Sequence, residues 1–197
     1  KVCSPKGEGF KPGVWKLKLN ELASPENLRV AQEIAEKSLT LVNNLSRLLP
    51  IDQNASIPIL WPKEYERALQ FLLIEYPNLK PFLISIDLSE EEKTTFLKSI
   101  ENVEMLIVGS YDLRRNAQWR DLINSLFNEK IILLAMRSPY DLLEISNYGA
   151  AIATFGDRPV SMTALGRLLN GKIQPVGLLP VNIPGKYQLG WGIKKFD

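Results

Sequence analysis

Residues 131–141 (IILLAMRSPYD) carry the strongest indication of the fold. The first six residues form an unbroken apolar run that is too short for an amphipathic helix and shows no alternation of apolar and polar positions. Such a run is typical of a strand whose two faces are both covered, as in the centre of a parallel sheet flanked by helices. The turn that follows, RSPYD, combines a cation, a hydroxyl group, an aromatic ring and a carboxylate where the strand ends.

Similar apolar runs lie on either side of this one, at residues 56–60 (SIPIL), 82–86 (FLISI), 105–108 (MLIV) and 150–155 (AAIATF). Successive runs begin roughly 20 to 26 residues apart, which is the spacing of compact βαβ units. Segments with helical spacing of apolar residues fill the intervals, and a short run at 39–42 precedes the series. We therefore predict an α/β fold: a three-layer αβα sandwich with a mostly parallel, doubly wound sheet of about five to six strands.

Polar residues and glycine mark the ends of the predicted helices. Ser24, which precedes a proline, is a predicted N-cap, and Ser89 with Glu92 forms a predicted capping box. The last helix is predicted to be capped by Ser161 and closed by Gly171. The prolines and glycines beyond Gly171 indicate extended, turning structure without further helix.

The chain divides into two parts. Residues 1–24 are interpreted as an N-terminal arm or linker, with a short edge strand at 14–19 (VWKLKL), and residues 25–197 as a single α/β domain. The chain lacks an initiator methionine and the apolar middle of a signal peptide, so we expect it to begin within a longer protein. These features leave the compartment open between the bacterial cytoplasm and export.

Composition argues against several classes of function. A net charge of +2 does not indicate the basic surface that binds nucleic acid. No stretch approaches the roughly 20 apolar residues of a membrane span. The chain contains no histidine and one cysteine, so a Ser-His-Asp triad and a zinc site of the usual histidine type are ruled out. A dinucleotide-binding fold has a glycine-rich loop after its first strand. Here the first strand is followed by Trp61-Pro62-Lys63, so this motif is missing. We predict no metal and no cofactor.

Ligands of such sheets bind at the carboxyl ends of the strands, so the residues there are the candidate binding residues. They are Asp87, Ser110, Asp112, Arg137, Ser138, Tyr140, Asp141 and Asp157. Polar side chains occur at strand ends in every α/β protein, and solvated loop acids or N-cap partners are the alternative interpretation of each residue taken alone. A glycosidase needs two carboxylates about 5 to 10 Å apart, and nothing in the spacing brings two of these acids together.

The RSPYD cluster has two interpretations. In the first, it is a loop that contacts a sugar or docks another domain. In the second, which we favour, Ser138 and Pro139 start a short helix and Arg137 pairs with Asp141.

The same cluster carries a resemblance to a known family. Residues 131–141, 151–156 (AIATFG), 161–171 (SMTALGRLLNG) and 175–185 (PVGLLPVNIPG) resemble, in order, the C-terminal domain of family 3 glycoside hydrolases. Upstream, 31–44 (AQEIAEKSLTLVNN) and 105–110 (MLIVGS) also match, so the resemblance covers about residues 25–190. The turn and the final motif are most similar to the β-N-acetylhexosaminidase branch.

This resemblance implies that the catalytic groups lie outside the chain. In the family, the nucleophilic aspartate lies on an N-terminal (β/α)8 barrel, and in the hexosaminidase branch an Asp-His pair on a barrel loop serves as acid/base. A barrel needs about 250 residues, far more than precede the matched region. The expected partner is therefore such a barrel in the same parent protein, and the expected ligand class is carbohydrate. No catalytic residue is assigned to this chain.

Two functions follow as hypotheses. The first is an accessory domain of a retaining β-N-acetylhexosaminidase that acts on peptidoglycan or chitin-type sugars. The second is a stand-alone α/β module that binds carbohydrate or protein without catalysis. Trp61, Tyr140 and Trp191 are candidates for sugar stacking, although aromatic residues at such positions more often pack in the core.

Overall fold

The structure, a computed structural model, describes residues 24–126 and 128–196. The predicted arm, apart from its last residue, and the predicted edge strand at 14–19 lie outside the described residues, as does Phe127. Within the described part of the chain, no helix is long and apolar enough to cross a bilayer.

A six-stranded sheet forms the centre of the domain. Its strands are β1 (Thr40–Asn43), β2 (Ile57–Pro62), β3 (Leu79–Ile84), β4 (Leu106–Ser110), β5 (Ile131–Ala135) and β6 (Ala150–Ala153). Their order is β1-β6-β5-β4-β2-β3, and every neighbouring pair is parallel except β1 with β6. The predicted mostly parallel α/β sandwich is confirmed. The apolar run at 39–42 did not indicate that β1 would be antiparallel to its neighbour β6.

Helices cover both faces of the sheet. They are α1 (Pro25–Ser38), α2 (Glu66–Glu75), α3 (Glu90–Ser99), α4 (Ala117–Asn124), α5 (Asp141–Glu144) and α6 (Pro159–Leu169). One core lies between the sheet and α1, α2 and α6, and a second lies between the sheet and α3, α4 and α5. The central β4 and β5 are buried along their whole length, because they contribute side chains to both cores. By contrast β3 is an edge strand in which only Leu79 is buried, and it begins earlier than the predicted run at 82–86.

Most helix ends follow the predicted capping pattern. The Ser24 hydroxyl accepts a hydrogen bond from the amide of Asn27, and Ser89 forms the predicted reciprocal capping box with Glu92. Gly171 closes α6 with a φ of +73°, a conformation that glycine adopts without a side-chain clash. The predicted cap at Ser161 is wrong, because α6 begins with Pro159 in its first turn, where a proline needs no amide partner.

The sheet is wound in two directions from one point. After β2 the chain moves outward to β3, and after β4 it moves the opposite way to β5 and β6. The carboxyl ends of β2 and β4 therefore lie side by side at the position where open α/β sheets bind ligands. This crevice positions the candidate site.

The segment after α6 has the predicted extended and turning structure and runs along β1. The amide of Gly177 donates to the carbonyl of Leu39, and the amide of Ile193 donates to the carbonyl of Leu41. This C-terminal tail, residues 172–196, thereby covers the free edge of β1, and within the described residues β3 is the open edge of the sheet.

Candidate functional site

Two stacked tyrosines form the base of the site at the β2–β4 crevice. Tyr65 lies in a 3-10 turn that follows β2 directly, and Tyr111 is the first residue after β4. Their ring centroids are 3.8 Å apart and their planes differ by 4°. The ring of Tyr111 also meets Trp61 edge-on, with 5.6 Å between centroids. The stack is therefore anchored to the core beneath it.

Arg137, at the end of β5, covers this stack. Its guanidinium carbon lies 4.9 Å from the ring centroid of Tyr65 and 5.6 Å from that of Tyr111. Its Nε and Nη2 donate to Oδ2 of Asp157, after β6, at 2.9 and 2.6 Å. The bond to Asp157 raises the pKa of Arg137, so the guanidinium stays charged. The favoured pairing of Arg137 with Asp141 is wrong, because the loop after β6 supplies the carboxylate instead.

Asp141 has a different role, at the start of α5. It is 3% exposed, and its Oδ1 accepts a hydrogen bond of 3.0 Å from the amide of Leu113. Its Oδ2 is buried without a partner among the described residues. Burial raises the pKa of Asp141, and the hydrogen bond from Leu113 opposes this effect. The predicted short helix is present, but it begins at Asp141 with Tyr140 at the cap position, so Ser138 and Pro139 lie in the turn before it. Their carbonyls accept hydrogen bonds from the amides of Asp141 and Leu142.

An open groove of about 1190 Å³ extends from the stack toward α5. Its lining residues are Tyr65, Tyr111, Asp112, Arg114, Arg115, Arg137, Ser138, Tyr140, Asp141, Leu143, Glu144 and Pro184. Five of the eight sequence-predicted residues thus line one groove: Asp112, Arg137, Ser138, Tyr140 and Asp141. Asp157 joins them through Arg137 and faces a smaller cavity on the other side of that residue.

The remaining two predicted residues do not line the groove. Ser110 is fully buried at the end of β4, and its hydroxyl donates to the carbonyl of Leu134. Asp87 is exposed in the loop between β3 and α3, and its amide donates to the hydroxyl of Ser85. The carboxyl end of β3 points the same way as those of β2 and β4, but β3 is the edge strand, two positions from β4, so Asp87 lies to the side of the groove.

Sequence reasoning missed Tyr65, Tyr111, Arg114 and Arg115. Tyr65 has the helical spacing of the buried face of α2, which concealed that it lies in the preceding 3-10 turn. Tyr111 could have been found from its position directly after an apolar run. The two arginines belong to the loop that leads to α4, and no local pattern in that loop predicts that they line the groove.

Backbone strain marks the same edge of the sheet. Asp112, after β4, and Phe155, after β6, have φ values of +48° and +58°, which non-glycine residues rarely adopt. Such conformations persist where the surrounding structure holds them, and they concentrate at binding sites. The side-chain Nδ2 of Asn116 donates to the carbonyl of Tyr111, and the Thr154 hydroxyl donates to the carbonyl of Gly156 at 3.1 Å, so both turns are braced.

The three candidate aromatic residues differ in exposure. Trp61 is fully buried, and its Nε1 donates to the carbonyl of Tyr65, so its role is in the core. Tyr140 is 47% exposed at the rim of the groove. Trp191 is 48% exposed in the C-terminal tail, where its Nε1 donates to the carbonyl of Val42.

The arrangement is suited to binding. Aromatic faces, guanidinium groups and a hydroxyl surround an open groove, a combination that recognises hydroxyl-rich or anionic ligands. The acids already have partners. Asp157 is paired with Arg137, and Asp141 accepts a hydrogen bond from the amide of Leu113. Oδ2 of Asp112 lies 3.5 Å from Nη1 of Arg115. Among the residues that the structure describes, no group of three or more metal-ligating side chains comes together.

Several solved structures that share this fold are glycoside hydrolases. A family 3 β-N-acetylglucosaminidase from Paenibacillus sp. FPU-7 matches 82% of this chain with a TM-score of 0.69 and 21% identity. A fungal multi-domain family 3 β-N-acetylglucosaminidase, which has a GCN5-related glucosamine N-acetyltransferase region, matches 87% with a TM-score of 0.67 and 20% identity. A β-glucosidase from Listeria innocua in complex with glucose matches 81% with a TM-score of 0.59 and 16% identity. The resemblance noted in the sequence is confirmed at the level of the fold.

The shared part is a minor portion of each of these proteins. The chain spans 34% of the Paenibacillus protein, 21% of the fungal protein and 27% of the Listeria protein. No family model matches the chain, and no curated protein sequence matches it either.

Proposed function

We propose that this chain is the C-terminal accessory domain of a family 3 glycoside hydrolase. The single observation that carries the proposal is that more than four fifths of the chain overlays a minor part of family 3 enzymes. The ordered motifs from 131–141 to 175–185 support the same assignment. The parent enzyme is a retaining β-N-acetylhexosaminidase that acts on peptidoglycan or chitin-type sugars, as the resemblance implies.

In this proposal the parent's N-terminal barrel performs the chemistry. The chain has no histidine and so cannot supply the Asp-His acid/base pair of the hexosaminidase branch. The acids around the groove are held by a guanidinium, by a backbone amide or near Arg115, which favours positioning of loops over nucleophilic attack. The domain buttresses the barrel, and the RSPYD turn shapes the rim of the parent's site.

An assay with a chromogenic β-N-acetylglucosaminide tests this proposal. The chain alone should show no turnover, and addition of a separately produced barrel from the same gene should give activity that rises with the amount of this chain. Turnover by the chain alone, or a gene product too short to contain a barrel, would overturn the proposal.

The second candidate function is a binding module without catalysis. The observation that favours it is the groove itself, with Tyr140 exposed at its rim and Arg114 and Arg137 along its walls. Titration with chito-oligosaccharides should then give saturable binding at or below millimolar concentrations, weakened by Tyr140→Ala. Absence of binding at millimolar sugar would contradict this candidate and leave the first unaffected.

A further inference from the structure

The open edge of the sheet, β3, directs backbone groups outward. The amide of Leu79 donates to the carbonyl of Tyr76 in the turn before the strand, which indicates that residues 79, 81 and 83 turn their polar groups away from β2. Pro81 fits this alternation, because a proline is tolerated in a sheet where its missing N–H faces the free edge. The carbonyl of Pro81 and the amide of Leu83 are therefore available to another strand.

An apolar groove of about 400 Å³ runs beside this edge, between β3 and α3. Phe82 and Ile84 line its strand side, and Phe96 of α3 meets Phe82 edge-on with 5.5 Å between ring centroids. Phe82 and Ile84 pack against the second core and remain half-exposed. Apolar side chains next to unpaired backbone groups are the features that the addition of a further strand uses.

The two ends of this edge carry opposite charges. Glu91 and Glu92, in the first turn of α3, line the groove together with Ile84. Lys80 lies on the same face of β3 as Ile84, at the other end of the strand. Glu92 is engaged in the capping box, whereas Glu91 and Lys80 have no ion-pair partner among the described residues. An edge with one acidic and one basic end is complementary to an antiparallel copy of itself.

We propose that β3 pairs antiparallel with β3 of a second copy of this chain, about a two-fold axis that passes beside Phe82. In this register Phe82 faces Phe82 of the copy, and Lys80 faces Ile84 of the copy, which brings the ammonium group beside Glu91. The two-fold axis repeats the contact between Lys80 and Glu91 on the other side. One sheet then runs through both copies.

Pro81 is compatible with this register. Pro81 of each copy lies opposite Leu83 of the other, so the amide of each Leu83 donates to a carbonyl of Pro81 and neither bond needs the missing N–H. A register that placed Pro81 opposite itself would bring together two residues that both lack a donor. Leu83, which is 37% exposed, packs on the proline ring of the copy.

The contact is small, since it consists of two backbone hydrogen bonds, a narrow apolar strip and two ion pairs. We therefore expect weak association, with a Kd between about 10 μM and 1 mM. Sedimentation of the chain over a range of concentrations measures it.

Charge reversal tests the complementarity of the two ends. Lys80→Glu and Glu91→Lys should each weaken association about tenfold, because each substitution brings like charges together at two symmetric positions. The double variant should restore the Kd of the unchanged chain. The matched control is Glu90→Lys, the same change of charge at a highly exposed residue of α3 outside the groove lining, which should alter the Kd by no more than about twofold. Circular dichroism confirms that each variant folds.

Cysteine cross-linking tests the register. In a Cys3→Ser background, which removes the native thiol, Phe82→Cys should form an interchain disulfide with oxidised glutathione. Facing Cα atoms in a non-hydrogen-bonded antiparallel pair are about 4.5 Å apart, within the range of a disulfide. Lys80→Cys is the control, because its two cysteines would be four residues out of register, at least about 13 Å apart.

Each contrary result overturns the proposal. A chain that stays monomeric at about 1 mM, or a dimer whose Kd the charge reversals leave unchanged, shows that β3 does not pair with its copy. Equal cross-linking of the two cysteine variants excludes the register. Protection of the Leu83 amide from hydrogen exchange in a monomeric sample would show that another segment covers the edge. None of these results bears on the accessory-domain assignment, which the turnover assay tests.

Discussion

Arg137 connects the loops of three strands through one side chain. It covers the rings of Tyr65 after β2 and Tyr111 after β4, and it pairs with Asp157 after β6. A guanidinium suits this position because it stacks on aromatic faces while its N–H groups donate in the ring plane. A lysine would retain the charge and lose the stacking geometry.

Asp141 is expected to contribute less to the stability of the chain as the pH rises, which is the reverse of the usual effect of a carboxyl group. Burial raises the pKa of its carboxyl in the folded state above the unfolded value of about 3.9, so the folded state holds the proton more tightly. The contribution of Asp141 to the free energy of unfolding is therefore largest below that value and declines as the pH rises through the raised folded pKa. We expect Asp141→Asn, which keeps an oxygen for the amide of Leu113, to remove this decline in urea unfolding between pH 4 and 7.

Asp141→Ala separates ionisation from hydrogen bonding. This variant leaves the buried amide of Leu113 without its partner, which should cost about 1–3 kcal/mol at every pH. Parallel pH profiles for the unchanged chain and Asp141→Asn would contradict the assignment.

Gly109 in β4 is required by the tryptophan above it. A Cβ at this position would lie 2.5 Å from Cε3 of Trp61, which is fully buried and cannot move aside. We expect Gly109→Ala to lower the free energy of unfolding by about 1–3 kcal/mol through overpacking. The penalty should shrink in a Trp61→Leu background, and a double-mutant cycle measures the difference. An equal penalty in both backgrounds would show that the clash is not the cause.

At the scale of elements, the predictable parts are those that local physics determines. The apolar runs at 105–108 and 131–136 became β4 and β5, because strands that contribute to both cores tolerate no polar position. The start of α6 was predicted wrongly because Ser161 and Pro159 are both good helix-start residues, and the chain uses the proline. The antiparallel direction of β1 depends on its pairing with β6, which no local pattern in its four residues encodes.

The candidate site shows the same division. The strand-end positions of Arg137, Asp141 and Asp157 follow from the runs that precede them, and the sequence identified all three. The pairing of Arg137 with Asp157 depends on the adjacency of β5 and β6 and on the turn at Phe155, so the partner of Arg137 could not be inferred from the sequence. The Tyr65–Tyr111 stack required the order in which β2 and β4 meet.

The capping box of α3 is a test at this scale. The amide of Glu92 donates to the Ser89 hydroxyl at 3.2 Å, and the amide of Ser89 donates to the carboxylate of Glu92 at 2.8 Å. Ser89→Ala should therefore cost about 1 kcal/mol and speed amide exchange in the first turn of α3. The matched control is Thr94→Ala, whose hydroxyl donates to the carbonyl of Glu90 within the same helix and should be neutral or stabilising to remove.

The capping box also predicts a contribution to stability that is lost as the pH falls. The hydrogen bonds from the amide and hydroxyl of Ser89 lower the pKa of Glu92. The stabilisation they give is present above the unfolded pKa of about 4.3 and is lost as the pH falls through the lowered folded value. The difference in stability between the unchanged chain and Ser89→Ala should thus narrow in acid, and a constant difference would contradict the role of Glu92.

At the scale of the whole molecule, the C-terminal tail is part of the core and not an appendage. Leu179 and Ile183 are each 1% exposed and pack in the core that also holds α3, α4 and α5. Nζ of Lys186 donates to the carbonyl of Leu142 at 2.6 Å, and the Tyr148 and Tyr187 hydroxyls are hydrogen-bonded at 3.1 Å. The tail therefore closes the second core along the β1 side.

Two adjacent leucines in the tail allow a matched test of this closure. Leu179→Ala should lower the free energy of unfolding by about 2–5 kcal/mol, because it leaves a cavity under the tail. Leu178→Ala, at a position 43% exposed, should change the stability of the isolated chain by no more than about 0.5 kcal/mol. Equal effects in chemical denaturation would show that the tail is not packed as described.

The convergence of α1 and the tail on β1 also determines how the domain responds to force. When the two ends of the domain are pulled apart, tension passes through the bonds that join the tail to residues 39–42, among them the bridge between Leu41 and Ile193, and then through the four residues of β1. Bonds along that edge break one after another, and the five parallel strands initially bear little of the tension. In an optical trap we expect the tail to separate from β1 and from the second core in a first step, before the rest of the sheet ruptures in a second one.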